Sequence, residues 1–468
     1  MYQIDFTKPI HVHFIGIGGI SMSGLAELLH IKGFTITGSD AKKSKTTEHL
    51  DRLGIQVNIG QCAQNITNNI DLVVYTAAIH PDNEEYQAVL AANIPMLDRA
   101  ALLGQVMQQY KSAISIAGTH GKTTTTSMLS LILLEGNLDP TISVGGILDN
   151  IDGNIRIGNS EHFIVESCEY MNSFLSFHPT HEIILNIEAD HMDFFKDLED
   201  IRNSFRKFAE KLPKGGNLVI NGEIEDYEGI VKDLPCNVIT YGLLTDSLPS
   251  EINSPYDYAA ANISFDDFGF GSFDLIRKNQ LIAHIQLHVV GKHNISNAVS
   301  AIALADQLGV SIETMQSALL KFRGTKRRFE YKGEISGVKI VDDYAHHPTE
   351  IKATLTAAAS YPHKTLWCVF QPHTYTRTKA FFNDFIDALT LADKVVLADI
   401  YAAREINPGD ISSEDIQKKL VELGKTAYYF NSFEKIENFL LENCTNGDLL
   451  ITMGAGDVVS IGENLLGK

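Results

Sequence analysis

Short apolar runs that end in glycine or acidic turns recur along the chain, separated by stretches whose apolar positions follow helical spacing. His11-Val12-His13-Phe14-Ile15 is the first such run. It passes into Gly16-Ile17-Gly18-Gly19, and Ser21 to His30 continues with helical spacing. Phe34 to Gly38 reads as a second strand, ending at Ser39-Asp40, and Asp71 to Thr76 as a third. Asn93 to Met96 is a further short strand, and a helix over Arg99 to Gln109 carries the chain onward. Strands alternating with helices predict βαβ units and a parallel sheet, because parallel neighbours need a crossover of a dozen or more residues.

The pattern returns twice with a different texture. From Lys111, Ala113 to Ala117 runs straight into Gly118-Thr119-His120-Gly121-Lys122-Thr123-Thr124. Strands are expected at His162 to Glu166, at Glu182 to Ile187, and after the Pro213-Lys214-Gly215-Gly216 turn. Between Ser254 and Val290 apolar and polar positions alternate, most clearly from Ile282, which predicts antiparallel strands. Asn294 is the expected N-cap of the next helix. From Gly324 the chain holds a strand at Lys339 to Asp343 and a helix at Thr349 to Ala359. Buried strands follow at Leu366 to Phe370, Lys394 to Leu397 and Leu449 to Ile451. The expected fold is α/β in three domains, 1–108, 109–323 and 324–468, since a chain of 468 residues exceeds one core.

Composition changes this picture in two ways. The net charge of −20 excludes a general nucleic-acid or anionic-membrane partner, because phosphate surfaces recruit basic ones. The five cysteines are scattered and form no C-x-x-C pair, which fits a reduced cytoplasm better than a disulfide or zinc scaffold. No basic leader precedes a long apolar run at the start, so a cytoplasmic location is expected. Nothing in the sequence fixes the oligomeric state, and a homodimer stays open.

Two glycine clusters carry candidate chemistry. Gly16, Gly18 and Gly19 lie between strand and helix, where backbone N–H groups favour a phosphate. Ser21 stands where the dinucleotide fingerprint has its third glycine, and Asp40 follows at ribose spacing. This reads as a nucleotide or diphosphate site without establishing a nicotinamide cofactor. Gly118 to Thr124 is more specific. Its glycines let the backbone curl round phosphates, Lys122 reaches the β/γ-phosphates, and Thr123 offers a hydroxyl to Mg²⁺.

Further polar groups stand at strand ends, where parallel sheets bind ligands. Glu166-Ser167-Cys168-Glu169 and Asn186-Ile187-Glu188-Ala189-Asp190-His191-Met192-Asp193 are candidate metal-binding segments. Lys326-Arg327-Arg328 can neutralise a phosphoryl group in transfer. Asp342-Asp343-Tyr344-Ala345-His346-His347-Pro348 gathers two Asp and two His on one turn, and Gln371 to Arg377 is a candidate substrate contact. His11 and His13 read as packed histidines on a buried strand. Rival readings are a nicotinamide-dependent oxidoreductase, which leaves the second loop idle, and a non-catalytic nucleotide-gated module.

Taken together these residues resemble the Mur ligases, nearly end to end. The resemblance rests on Gly118 to Thr123, on His293-Asn294-x-x-Asn297, on His13 to Ala26, on Asp343 to Glu350, and on Phe370-Gln371-Pro372-His373. It implies an N-terminal Rossmann-like domain for a UDP-sugar and a central P-loop ATPase-like domain with added antiparallel strands. A C-terminal Rossmann-like domain would bring the amino acid. It implies ATP and Mg²⁺, with UDP-N-acetylmuramate and L-alanine as substrates. It assigns ATP to Gly118, Thr119, His120, Gly121, Lys122, Thr123, Thr124, His293, Asn294 and Asn297. It assigns the metal to Thr123, Glu169 (alternatively Glu166) and His191, and the UDP-sugar to Gly16, Gly18, Gly19, Ser21 and Asp40. It puts Tyr344, His346 and Arg377 against L-alanine. Lys122, Arg327 and His346 are the candidate catalytic groups, His346 as base. Cys168 and Thr374 depart from residues that some relatives carry.

Overall fold

The first apolar runs form a five-stranded, all-parallel sheet in the order β3-β2-β1-β4-β5. Its strands are β1 (His11–Ile15), β2 (Thr35–Asp40), β3 (Gln56–Ile59), β4 (Leu72–Tyr75) and β5 (Met96–Asp98). These come from a computed structural model, which describes residues 2–76, 78–151, 153–192, 194–244, 252–403 and 405–468. The order reverses between β1 and β4, and the Gly16–Gly19 turn leaves β1 at that switch point, where such sheets hold ligands. The fifth strand sits later than its apolar residues suggest. Pro95 still serves the sheet through its carbonyl, which accepts from the Val73 N–H. Asp98 then accepts from the Ala101 N–H at 2.8 Å and caps the helix Arg99–Met107.

The second sheet has ten strands: β6 (Ser112–Ala117), β7 (Thr141–Leu148), β8 (Gly153–Arg156), β9 (His162–Glu166), β10 (His181–Ile184), β11 (Asn217–Asn221), β12 (Asn237–Leu243), β13 (Tyr258–Phe265), β14 (Phe270–Arg277) and β15 (Gln280–Val290). β6 lies between β9 and β10, so their carboxyl ends flank the loop that follows β6. β13, β14 and β15 are antiparallel, as the alternation predicts. β10 stops at Ile184 rather than Ile187, because Leu185 to Glu188 leave the sheet to clasp that loop. The helix Lys292–Gln307 begins before Asn294, behind Gly291. Asn294 is therefore inside the first turn, not its cap, and its amide donates to the Val290 carbonyl at 2.8 Å.

The third sheet runs β16-β17-β21-β18-β19-β20. Its strands are β16 (Glu330–Ile335), β17 (Val338–Asp343), β18 (Leu366–Phe370), β19 (Lys394–Leu397), β20 (Thr426–Tyr429) and β21 (Leu449–Met453). Only β16 runs antiparallel to its neighbour. The helix Pro348–Ala359 follows β17, with proline at its start, where a missing N–H costs nothing.

The first two units share one apolar core. It runs from Val12, Phe14 and Val106 into Phe163, Phe174 and Phe205. The helix Arg99–Met107 approaches the second unit so closely that a Cβ on Gly104 would lie 1.9 Å from the Ser176 carbonyl oxygen. The third unit has its own cores, around Phe370 and Trp367. His13 is buried and held by Glu85 at 3.0 Å and Thr37 at 2.8 Å, a packed histidine as expected, while His11 is less deeply placed.

Candidate active site

The loop after β6 has the shape its glycines suggest. Gly121 adopts φ +85°, and a Cβ there would lie 2.7 Å from Asn297 Oδ1 on the helix Lys292–Gln307. Any side chain would be strained in backbone and would collide with that helix. Lys122 begins the helix Lys122–Glu135, whose free N–H groups and dipole favour an anion. Asn186 holds the loop from outside. Its Oδ1 accepts from the His120 N–H at 2.7 Å, and its Nδ2 donates to the His120 carbonyl at 3.0 Å. The Thr119 N–H donates to the Asn186 carbonyl, and the Glu188 N–H to Thr119 Oγ1.

Acidic side chains meet the loop from the neighbouring strands. Lys122 Nζ lies 3.0 Å from Glu169 Oε2 and donates back to the Gly118 and Thr119 carbonyls. Burial opposes the lysine charge, but Glu169 outweighs it and raises the pKa above the usual lysine range. Thr123 Oγ1 donates to Glu166 Oε2 at 2.9 Å, and the Gly145 N–H donates to the same oxygen. His191 lies against Tyr170, with ring centres 4.5 Å apart, and burial lowers its pKa. Thr123, Glu166, Glu169 and His191 thus gather hydroxyl, carboxylate and imidazole donors on one side of the loop, a set that suits a hard divalent cation. Asp193 lies outside the described residues.

The third unit faces this loop across a cavity of about 570 Å³. His120, Thr124, His293, Asn294 and Asn297 line it from the central unit, and Arg328, Asp343 and Glu350 from the third. His120 crosses the junction. Its Nδ1 is 3.2 Å from Glu350 Oε1 and its Nε2 is 3.5 Å from Glu188 Oε2. Burial alone would lower its pKa, but these two carboxylates raise it to about 9. Thr349 Oγ1 donates to Glu188 at 2.8 Å, and Arg377 to Asp190 Oδ1 at 3.0 Å. Arg377 also borders a smaller cavity of about 100 Å³ with Tyr170, His191, His373 and Glu405.

Other expected residues fall as follows. His346 Nδ1 is 3.0 Å from the Tyr344 carbonyl and 3.2 Å from Glu350. Tyr344 is covered by both Arg327 and Arg328. Arg327, expected to neutralise a phosphoryl group, does not line the cavity. Its guanidinium is spent on Asp342 at 3.0 Å and on the Gly454 and Gly456 carbonyls, within the third unit. Arg328 lines the cavity instead. Asp343 accepts from the Phe329 and Ala345 N–H groups, and burial pushes its pKa up to about 6. In the first unit the Gly16 N–H donates to the Ser39 carbonyl, the Gly18 N–H to Asp40 Oδ2 at 2.9 Å, and Arg99 to Ser21 Oγ. Asp40 therefore braces the turn. Asn186 and Arg328 are the groups that sequence reasoning undervalued. The early end of β10 marks Asn186 in the structure, but nothing in the spacing of its neighbours does.

A nucleotide loop at a switch point, closed over by a separate α/β unit, is the plan of an ATP-dependent ligase, and comparison with known families agrees. The Mur ligase family catalytic domain matches residues 11–111, the Mur ligase middle domain 116–305, and the Mur ligase glutamate ligase domain 327–456. The chain belongs to the Mur ligase family. Among its relatives, proteins named UDP-N-acetylmuramate–L-alanine ligase are 69% identical in Lachnoclostridium phytofermentans and 61% identical in Agathobacter rectalis, each over the whole of both chains. The crystal structure of a UDP-N-acetylmuramate-alanine ligase from Thermotoga maritima matches with a TM-score of 0.81 at 28% identity, covering 98% of each chain. A murein peptide ligase from Psychrobacter arcticus shares the fold, with a TM-score of 0.71 at 24% identity and 98% coverage of each chain.

Proposed function

We propose that this chain joins L-alanine to the lactoyl carboxylate of UDP-N-acetylmuramate, with cleavage of ATP to ADP and phosphate, in cytoplasmic peptidoglycan precursor synthesis. The observation that carries this reading is the phosphate loop facing, across one cavity, a third unit whose His346–Glu350 turn already touches it. Full-length relatives of that name support the choice of substrates. Among the described residues no helix is long and apolar enough to cross a membrane.

ATP lies along Gly118 to Thr124, with its base toward His293, Asn294 and Asn297. The lactoyl carboxylate attacks the γ-phosphorus, ADP leaves, and an acyl phosphate forms. Lys122 turns from Glu169 to the phosphoryl oxygens, and Arg328, rather than Arg327, supplies charge from the cavity wall. Mg²⁺ held by Thr123, Glu169 and His191 would add Lewis-acid neutralisation at those oxygens. Closure of the third unit excludes water from the acyl phosphate. Tyr344, His346 and Arg377 orient L-alanine, and its amine attacks the acyl carbon and expels phosphate. His346 is the candidate to take the ammonium proton. In the first unit, Gly16, Gly18, Gly19, Ser21 and Asp40 hold the UDP end.

A phosphate-release assay with ATP, Mg²⁺, UDP-N-acetylmuramate and each amino acid in turn tests this. Release that requires both the nucleotide sugar and L-alanine is expected. Release without any amine, or only with a preformed peptide, would contradict it.

A further inference from the structure

His120, Glu188 and His347 each present a ligand atom, and these atoms lie within 4.8 Å of one another. None of the three belongs to the magnesium set above. Two come from the central unit, and His347 comes from the turn after β17 in the third. His347 Nε2 is buried with no hydrogen-bond partner, and His120 Nε2 is directed at Glu188 Oε2 across a long 3.5 Å gap. The rings lie 4.8 Å apart. An orphan buried ring nitrogen calls for an explanation, and here it converges with a second imidazole on one carboxylate.

The surroundings are those of a metal ligand set. His120 Nδ1 is engaged by Glu350 at 3.2 Å, which orients the ring and leaves Nε2 toward Glu188. A carboxylate that holds the far nitrogen commonly orients a ligating histidine. Glu350 is itself fixed by the His346 N–H at 3.1 Å. Glu188 is steadied by the Thr349 hydroxyl. His347 Nδ1 faces the Thr349 N–H at 3.3 Å, a long capping contact. Ligation through Nε2 places the ring proton on Nδ1 and gives up that contact. The other half of the capping box, Glu350 to the His347 N–H, is untouched.

We propose that His120, Glu188 and His347 form a site for a divalent transition metal, of which zinc is the prime case, that bridges the phosphate loop and the third unit. Two imidazoles and one carboxylate with a fourth position open suit zinc, a more nitrogen-rich set than the one proposed above for magnesium. Tetrahedral ligands around zinc stand roughly 3.4 Å apart, so side-chain rotation closes the present spacing. Binding displaces the proton that His120 holds. A metal here joins the central and third units.

Cobalt(II), a coloured stand-in for zinc, tests this on the full chain in magnesium buffer. The expected result is one ion with the strong visible absorption of four-coordinate cobalt, displaced by zinc. His347→Asn keeps an N-capping acceptor but removes the ring, and should weaken binding at least about tenfold while the protein stays folded, as the thermal melt in the absence of metal checks. Glu188→Gln should weaken it independently. Wild-type protein showing only weak six-coordinate absorption would overturn the proposal. So would a near-ultraviolet thiolate band unaffected by either substitution, which would put the metal on cysteine.

Discussion

The central unit meets its two neighbours through surfaces of opposite character. Toward the first unit the contact is mainly apolar, one core from Phe14 through Val106 to Phe174, with Gly104 against the Ser176 backbone. Toward the third unit the contact is polar, through His120 with Glu350, Glu188 with Thr349, and Asp190 with Arg377, around a cavity of about 570 Å³. Apolar burial is non-directional and hard to undo without unfolding. Ion pairs and hydroxyl contacts can be exchanged for water or ligand groups at small net change. The first junction is therefore a fixed one. The second is made of exchangeable pairs, which would let the third unit open and close in the proposed reaction.

The largest effect expected from this contrast is at the phosphate loop. Lys122→Ala should lower phosphate release on the order of a hundred- to a thousandfold, with the unfolding temperature close to wild type. Loss of folding instead would make Lys122 a structural member of the Glu169 pair alone. At the polar junction, Arg377→Ala should raise the KM for L-alanine by roughly 10- to 150-fold, the worth of a charge-assisted hydrogen bond. An unchanged KM would confine Arg377 to pairing with Asp190.

At the fixed junction, Gly104→Ala places a Cβ against backbone that cannot yield, and should destabilise folding by about 1–3 kcal/mol in denaturant titration. The smallest effect is a pH dependence. His120 has its folded-state pKa raised to about 9, so its stabilising contribution is complete below about 6.5 and is lost as pH rises toward about 9. The stability difference between wild type and His120→Gln should shrink over that window. A difference constant with pH would mean that Glu188 and Glu350 do not share its proton.

How far the sequence reveals each region follows the same division. β1, β6 and β18 are legible because buried parallel strands are continuous apolar runs, and the loop at Gly118 to Thr123 because phosphates demand that backbone. The misplaced features lie where tertiary contacts override local pattern. β10 ends early because Asn186 is drawn to the His120 backbone. Arg327 and Arg328 are indistinguishable in sequence, yet the backbone turns one into Asp342 and the other to the cavity, since Arg327 takes φ +62°. Asn294 has a capping residue's chemistry, but Gly291 starts the helix three residues sooner.

The most direct measurement of the central claim follows a single oxygen. UDP-N-acetylmuramate labelled with heavy oxygen in its lactoyl carboxylate is turned over with ATP and L-alanine, and the released phosphate is weighed by mass spectrometry. Attack of that carboxylate on the γ-phosphorus predicts one labelled oxygen in every phosphate released. Unlabelled phosphate, with the heavy oxygen displaced on amide formation recovered in water or in a nucleotide instead, would contradict an acyl phosphate formed at the Lys122 loop.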